Sequence, residues 1–315
     1  MEASAFFLKS TRPVNDIKII SWNADGIHTE AEKENILQVL IQCDIFCLLE
    51  VKTALPVMIP GYVTYRSAVV GTHDRGGAVV CVKAFITHLV QSVDLSIRDQ
   101  VWLTLQNSLF GFCYIPPIDS SYFSNVSFSS IQERLCAGQG KYGCILMEDM
   151  NARFGESVRD LLTHMSTRCC ESLSYPSIAD AVNVANSNAD LLASLCCENN
   201  VLVINNLKTS CRHYIGNKTY RKKGTLISEI DTCVASSNMS RSITDLQVLQ
   251  ESGLPPDHPP ISLTICCTGV NLNHVLRRAE DLLNCFVSDT HCKQSRRPVR
   301  FQNMNRQLFE TVFAD

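Results

Sequence analysis

Six short stretches place acidic or hydrogen-bonding side chains where apolar runs stop. They are Asn23 and Asp25 in SWNADG, Glu50 in LLE, Tyr114 in CYIPP, Asp149 and Asn151 in MEDMNAR, Asp231 in SEID, and Asp257 and His258 in PPDHPPI. Each has an ordinary explanation on its own: strand ends are polar, and an Asp-His pair among prolines is a common turn. Together they assemble carboxylates, amides, a phenol and an imidazole. That set suits hydrolysis of a phosphate ester with Mg²⁺. The ion takes one or two carboxylates and shares phosphate oxygens. A carboxylate aligns or deprotonates the attacking water, and a histidine held by a second carboxylate bonds the phosphate. Amides and a phenol add neutral donors. The chain has no serine nucleophile elbow, Walker loop or Gly-rich dinucleotide turn to support a competing chemistry.

CILMEDMNARFG, residues 144–155, carries the sharpest form of this pattern. Side chains alternate along an extended strand, so Asp149 and Asn151 point one way and Glu148 the other. One carboxylate and one carboxamide aimed together at a strand exit suit metal, water or phosphate. A solvated turn with Asn as a helix cap is the plainer alternative.

The elements that must position these groups follow from hydrophobic periodicity. Strands are expected over Asp16–Asn23, Asp44–Glu50, 143–148 (GCILME) and Val201–Asn205. Arg75–Lys83, Val101–Gln106 and Leu109–Pro117 read as a hairpin-like meander. Further short strands are expected in KTYRKKG, SEIDTCVAS, ITDLQVLQ and PISLTI. Helical spacing appears over Glu30–Gln42, in FSSIQERLCAGQG with its glycine stop, over Ala189–Asn200, and over Arg277–Phe286. Strands with intervening helices predict an α/β or α+β domain whose sheets are covered by helices. The expected layout is an N-terminal extension over 1–15, one domain over 16–268, and a helical, basic tail or linker over 269–315. The tail's Lys293, Arg296, Arg297 and Arg300 read as solvated rather than as a nucleic-acid arm.

At 315 residues the chain can bury a substantial core, and 45% hydrophobic with 19% charged residues is an ordinary globular balance. The net charge of −3 exerts no global pull on nucleic acid, so any polyanion site must be a local patch. Arg221-Lys222-Lys223 is one such patch, with a solvated hairpin tip as the alternative. The 16 cysteines are scattered and form no Cys-x-x-Cys, which argues against zinc knuckles and thioredoxin-type sites. No signal peptide and no membrane-length apolar run is visible. The expected setting is therefore intracellular, nuclear or cytoplasmic, with reduced and mostly buried thiols.

The order Asn-x-Asp-Gly, Glu, Tyr, Asp-x-Asn, Ser-x-Ile-Asp, Asp-His-Pro-Pro-Ile resembles the endonuclease/exonuclease/phosphatase superfamily. More narrowly, it resembles the apurinic-endonuclease-like endonuclease domain of LINE-type (non-LTR) retrotransposons, from about Ile17 to Ile265. The resemblance implies a four-layer α/β sandwich, with two facing mixed β-sheets flanked by helices. It implies Glu50 as principal metal ligand, with Asn23 and Asp25 nearby and Asp257 completing the environment of Mg²⁺, or of Mn²⁺. Asp149 would position the water, Asn151 and Tyr114 would contact the phosphate, and His258 would bond it while oriented by Asp231. Thr219 and Ser228 match positions supporting DNA contact and the Asp231 strand. The implied reaction is nicking of DNA to leave a 3′-hydroxyl for reverse transcription. A reverse transcriptase is absent from these 315 residues, so a truncated element, a separated module or a domesticated copy is expected.

Two positions depart from the family pattern. Glu148 stands where glycine usually precedes the Asp of Asp-x-Asn, and Pro256 where serine usually precedes Asp-His. Glu148 is expected to shift Asp149 or to add a charge beside the water. Pro256 is expected to loosen the His258 loop by removing a hydroxyl and a backbone donor. Two alternatives follow: a catalytically weakened remnant that at most binds DNA, and a phosphatase or other nuclease of the same superfamily.

Overall fold

A computed structural model of the chain describes residues 16–26, 34, 36, 38–39, 42–52, 59–68, 76–106, 108–138, 143–155, 185–205, 207, 219–222, 225–249 and 257–266. The expected extension and tail, with the helix over Arg277–Phe286, lie outside these residues.

Two six-stranded sheets make the fold. The first contains β1 (Asp16–Asn23), β2 (Ile45–Leu49), β3 (Tyr62–Arg66), β4 (Val79–Lys83), β13 (Ile243–Val248) and β14 (Ile261–Cys266), in the order β13-β14-β1-β2-β4-β3. The second contains β5 (Val90–Asp94), β6 (Gln100–Leu105), β7 (Ser108–Tyr114), β8 (Gly143–Asp149), β9 (Val201–Val203) and β12 (Asp231–Ser236), in the order β5-β6-β7-β8-β12-β9. A separate ribbon pairs β10 (Tyr220–Lys222) with β11 (Thr225–Ser228).

β2 is buried at every position because its sheet is covered on both faces, and this is why it reads as a continuous apolar run. One core fills the space between the sheets, with Ile19, Ile45 and Leu49 facing Phe112, Met147 and Cys233. Truncating Phe112, which is fully buried, would cost about 3–5 kcal/mol. A second core packs Trp102 and Leu146 under α1 (Asn125–Gly138) and α2 (Ser187–Asn199) through Ile131, Leu135, Leu192 and Cys196. A third covers Trp22, Phe46 and Leu48 with the helical residues Ile36 and Val39. The layers are helix, sheet, sheet, helix, as the expected sandwich requires. Among the described residues all ten cysteines are unbridged and most are buried, and no helix is long and apolar enough to cross a membrane.

Three local expectations differ from the structure. β4 pairs with β2 and β3 in the first sheet, so only β6 and β7 of the expected meander form a hairpin. Alternation along one strand carries no record of which neighbour covers its edge. β3 and β5 were not anticipated, because β3 is half-buried throughout and β5 has no fully buried residue. SEIDTCVAS is two strands: β11 ends at Ser228 and β12 begins at Asp231.

Candidate active site

Both sheets deliver strand ends to one place. β1 and β2 run parallel, with Asn23 level with Leu49, so Asn23 and Glu50 emerge together. In the second sheet β7 and β8 run parallel with Tyr114 opposite Asp149, and antiparallel β12 starts with Asp231 opposite Asp149. Tyr114, Asp149 and Asp231 therefore form a row across three adjacent strands.

Asn23 joins the two sheets. Its Nδ2 donates to Glu50 Oε2 at 3.0 Å and to Asp149 Oδ2 at 2.7 Å, and its Oδ1 accepts from the Asp25 N–H at 2.9 Å. Asp149 Oδ1 accepts from the Asn151 N–H at 2.8 Å. His258 Nδ1 faces Asp231 Oδ2 at 3.0 Å and lies 4.0 Å from Asp149 Oδ2. The Tyr220 ring sits 5.1 Å from the imidazole, and Trp22 Nε1 donates to the His258 carbonyl at 2.8 Å. The histidine is thus held by its ring, its backbone and its carboxylate partner. With Nδ1–H turned to Asp231, Nε2 is the nitrogen left for a substrate.

Burial decides the charges here. It disfavours a charged imidazole, but Asp231, Asp149 and Glu50 outweigh it and raise His258 to about 9. Burial and the Asp231 carboxylate push Asp149 well above the usual carboxylate range, against His258 and the bonds from Asn23 and Asn151. A carboxylate so raised is, in its ionised form, a stronger base toward water than an ordinary one. Burial and the Glu50 and Asp149 charges keep the Tyr114 phenol protonated, and it bonds Glu50.

The backbone around these groups is strained. Seven non-glycine residues have positive φ among those described, and five of them, Asp25, Glu50, Lys52, Asp99 and Asn151, lie in this region. Such conformations persist where the surroundings over-determine them, and they concentrate at functional sites. The glycine pair before β4 supports two of them. The Val51 and Lys52 N–H groups donate to the Gly77 and Gly76 carbonyls, at 3.2 and 3.0 Å. The Gly77 N–H donates to the Asp99 carboxylate, and a Cβ on Gly76 would lie 2.5 Å from Asp99 Oδ1.

Asn23, Asp25, Glu50, Tyr114, Asp149, Asn151, Asp231 and His258 all sit at this junction. Asp257 is exposed, and its carbonyl accepts from the Arg221 N–H at 2.7 Å. Thr219 and Ser228 are buried rather than set on a DNA-facing surface. Thr219 Oγ1 accepts from the Ile230 and Asp231 N–H groups, both at 2.9 Å, and the Ser228 carbonyl accepts from the Thr219 N–H. These bonds anchor the start of β12, the strand that carries Asp231. Arg221 is half-buried, Lys222 is described through its backbone in β10, and Lys223 and Pro256 fall outside the described residues.

Glu148 departs from its expectation. Alternation sends it to the opposite face of β8, where it is 2% exposed between Cys113 and Thr232 on the neighbouring strands. Thr232 Oγ1 donates to its Oε1 at 3.0 Å, and its Oε2 has no hydrogen-bond partner. Burial, offset in part by Thr232, raises it well above the usual range. It lies behind the strand in surroundings that favour the neutral acid, and Asp149 keeps its contact with Asn23.

Sequence reasoning passed over Lys52, Asp99, Asn186 and Asn188. Asn188 Nδ2 donates to the carbonyls of Met150 and Pro116, at 2.6 and 3.1 Å, and its Oδ1 accepts from Ile118. Asn186 caps α2 and donates to the Asn151 carbonyl at 2.7 Å. The Asn-Ser-Asn run before Ala189 was the available signal, since Asn before a periodic run is a capping pattern.

Two groupings offer ligands. Asp149, Asp231 and His258 present atoms within 4.8 Å of one another, but Asp231 already bonds His258 and Asp149 already bonds Asn23. Asp25 and Glu50 share the Lys52 ammonium, Asp25 by hydrogen bond and Glu50 at 3.5 Å. A carboxylate pair that already attracts a cation fits a hard divalent ion such as Mg²⁺.

No protein-family model matches the chain, and no curated protein matches it in sequence. Solved structures do match. An AP endonuclease from Leishmania major superposes with a TM-score of 0.59 at 14% identity, over 81% of this chain and 89% of that one. A 3′-5′ exonuclease from Neisseria meningitidis gives 0.55 at 16%, over 79% and 100%. A 3′ phosphatase from Neisseria bound to a product DNA hairpin gives 0.55 at 15%, over 78% and 98%. The chain has the AP-endonuclease fold. At this identity the likeness lies in backbone path, and the chemistry rests on the side chains described above.

Proposed function

We propose that the chain is a metal-dependent phosphodiester hydrolase acting on DNA, and specifically an endonuclease. The observation that carries this is the convergence on Asp149: Asn23, which also bonds Glu50, reaches it from the other sheet, as does His258 just before β14 at 4.0 Å, while Asp231 lies opposite it on the neighbouring strand. Glu50, Asp25 and Asn23 would hold Mg²⁺ or Mn²⁺, which when bound neutralises developing charge on the phosphoryl group. Asp149 orients the attacking water and takes its proton. His258, kept charged by Asp231, donates through Nε2 to a phosphate oxygen. Tyr114 and Asn151 add neutral donors. The basic run Arg221-Lys222-Lys223 is the candidate for the DNA backbone.

The order of motifs supports a narrower reading, a LINE-type endonuclease that nicks one strand and leaves a 3′-hydroxyl to prime reverse transcription. Ten unbridged cysteines support work inside the cell. Of the grounds for the remnant reading, Glu148 lies buried behind β8 and Pro256 falls outside the described residues. A DNA 3′-end-processing activity is the second reading, favoured by the likeness to the two Neisseria structures.

The test is nicking of supercoiled plasmid with Mg²⁺, alongside EDTA and Asp149→Ala. Relaxed circles that need both metal and Asp149 support the endonuclease. An intact plasmid together with release of phosphate from a 3′-phosphorylated duplex favours end processing. Silence on both substrates sinks the proposal.

A further inference from the structure

We propose that Lys52 is a built-in counter-ion that occupies the Asp25 and Glu50 carboxylates and competes with a divalent cation for them. The inference rests on the metal site proposed above, and it assigns a positioning role to a residue outside the motif pattern. The Lys52 ammonium bonds Asp25 and lies 3.5 Å from Glu50. The same two carboxylates are the ones best suited to hold the ion, so ammonium and ion want one place.

An incidental surface ion pair contributes little and needs no special backbone. This one has a special backbone. Glu50 and Lys52 both have φ of 49°, and the Val51 and Lys52 N–H groups are tied to the Gly77 and Gly76 carbonyls. The Lys52 side chain is 26% exposed and Glu50 15%, so solvent screens the pair only in part. The turn that aims Glu50 into the site aims Lys52 across it.

Two consequences follow. Without metal, Lys52 relieves repulsion between Asp25 and Glu50. With metal, the ammonium must move away and find another anion, and a DNA phosphate is the anion the proposed substrate supplies. Metal alone should therefore bind weakly, and metal with DNA cooperatively.

The experiment titrates Mn²⁺ into the metal-free full chain by electron paramagnetic resonance, for the native sequence, Lys52→Met and Lys52→Arg. Thermal unfolding in EDTA runs alongside. Removing the competing charge should tighten Mn²⁺ binding about tenfold in Lys52→Met. The same variant should melt at lower temperature without metal, and Lys52→Arg should stay near the native values. Equal finite affinity in all three chains overturns the role of Lys52 and leaves the metal site standing. Absence of Mn²⁺ binding in all three overturns the metal site, and the role of Lys52 with it. If Lys52→Met does not fold, weaker Mn²⁺ binding by a folded Lys52→Gln than by the native chain overturns the competition.

Discussion

Asp149 and Glu148 are neighbours in sequence with opposite fates. Asp149 faces the seam between the sheets, where Asn23 donates to it and Asp231 raises it. Glu148 faces the helical layer, where burial raises its pKa and Thr232 donates to it. Replacing Asp149 with Asn removes the proton acceptor while keeping shape, so nicking should fall by at least about 10²-fold. Thermal melting should show a chain as stable as the native one or more so, because a buried carboxylate beside Asp231 is gone. Glu148→Gln should retain nicking. Its stability relative to the native chain has a definite sign with pH. The folded pKa of Glu148 is raised, so its contribution is fully present below the unfolded value and is lost as pH rises toward the folded one. Urea titrations should find the two chains alike near pH 4.5 and the Gln variant increasingly the more stable toward pH 8. A constant gap across that range would refute a buried neutral acid.

At the scale of elements, the site depends on pieces that never touch substrate. The N-terminus of α2 holds two loops at once, with Asn188 bonding Pro116, Met150 and Ile118. Asn188→Ala leaves buried carbonyls unpaired, at about 1–3 kcal/mol for each unsatisfied group. Because the loop after β8 carries Asn151, nicking should fall along with stability. The start of β12 depends in the same way on Thr219. Thr219→Val should cost about 1–3 kcal/mol by orphaning the Ile230 and Asp231 N–H groups. Thr219→Ser, which keeps the oxygen, should cost much less by chemical denaturation.

The whole molecule couples these pieces through its central core. The two sheets meet face to face, so the strand ends from both stay in register only while the core between them is packed. The His258–Asp231 pair makes this visible in the pH dependence of folding. The folded pKa of about 9 exceeds the ordinary 6.5, so the folded chain keeps a proton that the unfolded chain releases. Stability from this pair is complete below about 6.5 and declines by roughly 3 kcal/mol as pH rises through about 9. Melting in EDTA across that window should show the decline, and Asp231→Asn should flatten it.

Much of the site was legible in the sequence because the cues are local. An apolar run ending on Asp, Asn or Glu marks a strand exit, and a period of two tells which side chains share a face. Those facts alone separated Asp149 and Asn151 from Glu148, and identified Asn23, Glu50, Asp231 and His258 as candidates. They left open which strands are neighbours. The row of Tyr114, Asp149 and Asp231 exists because β7, β8 and β12 pair in one particular register. The bridge through Asn23 exists because a second sheet packs across from that row. Burial was equally out of reach, since whether Thr219 faces water or backbone, or whether Glu148 carries charge, depends on what lies over it. Sequence by itself determined the inventory and the opposite facing of Glu148 and Asp149, because alternation is a property of a single strand. Only the tertiary structure decided their adjacency, their charge and the hold of Lys52, because those arise between segments far apart in the chain.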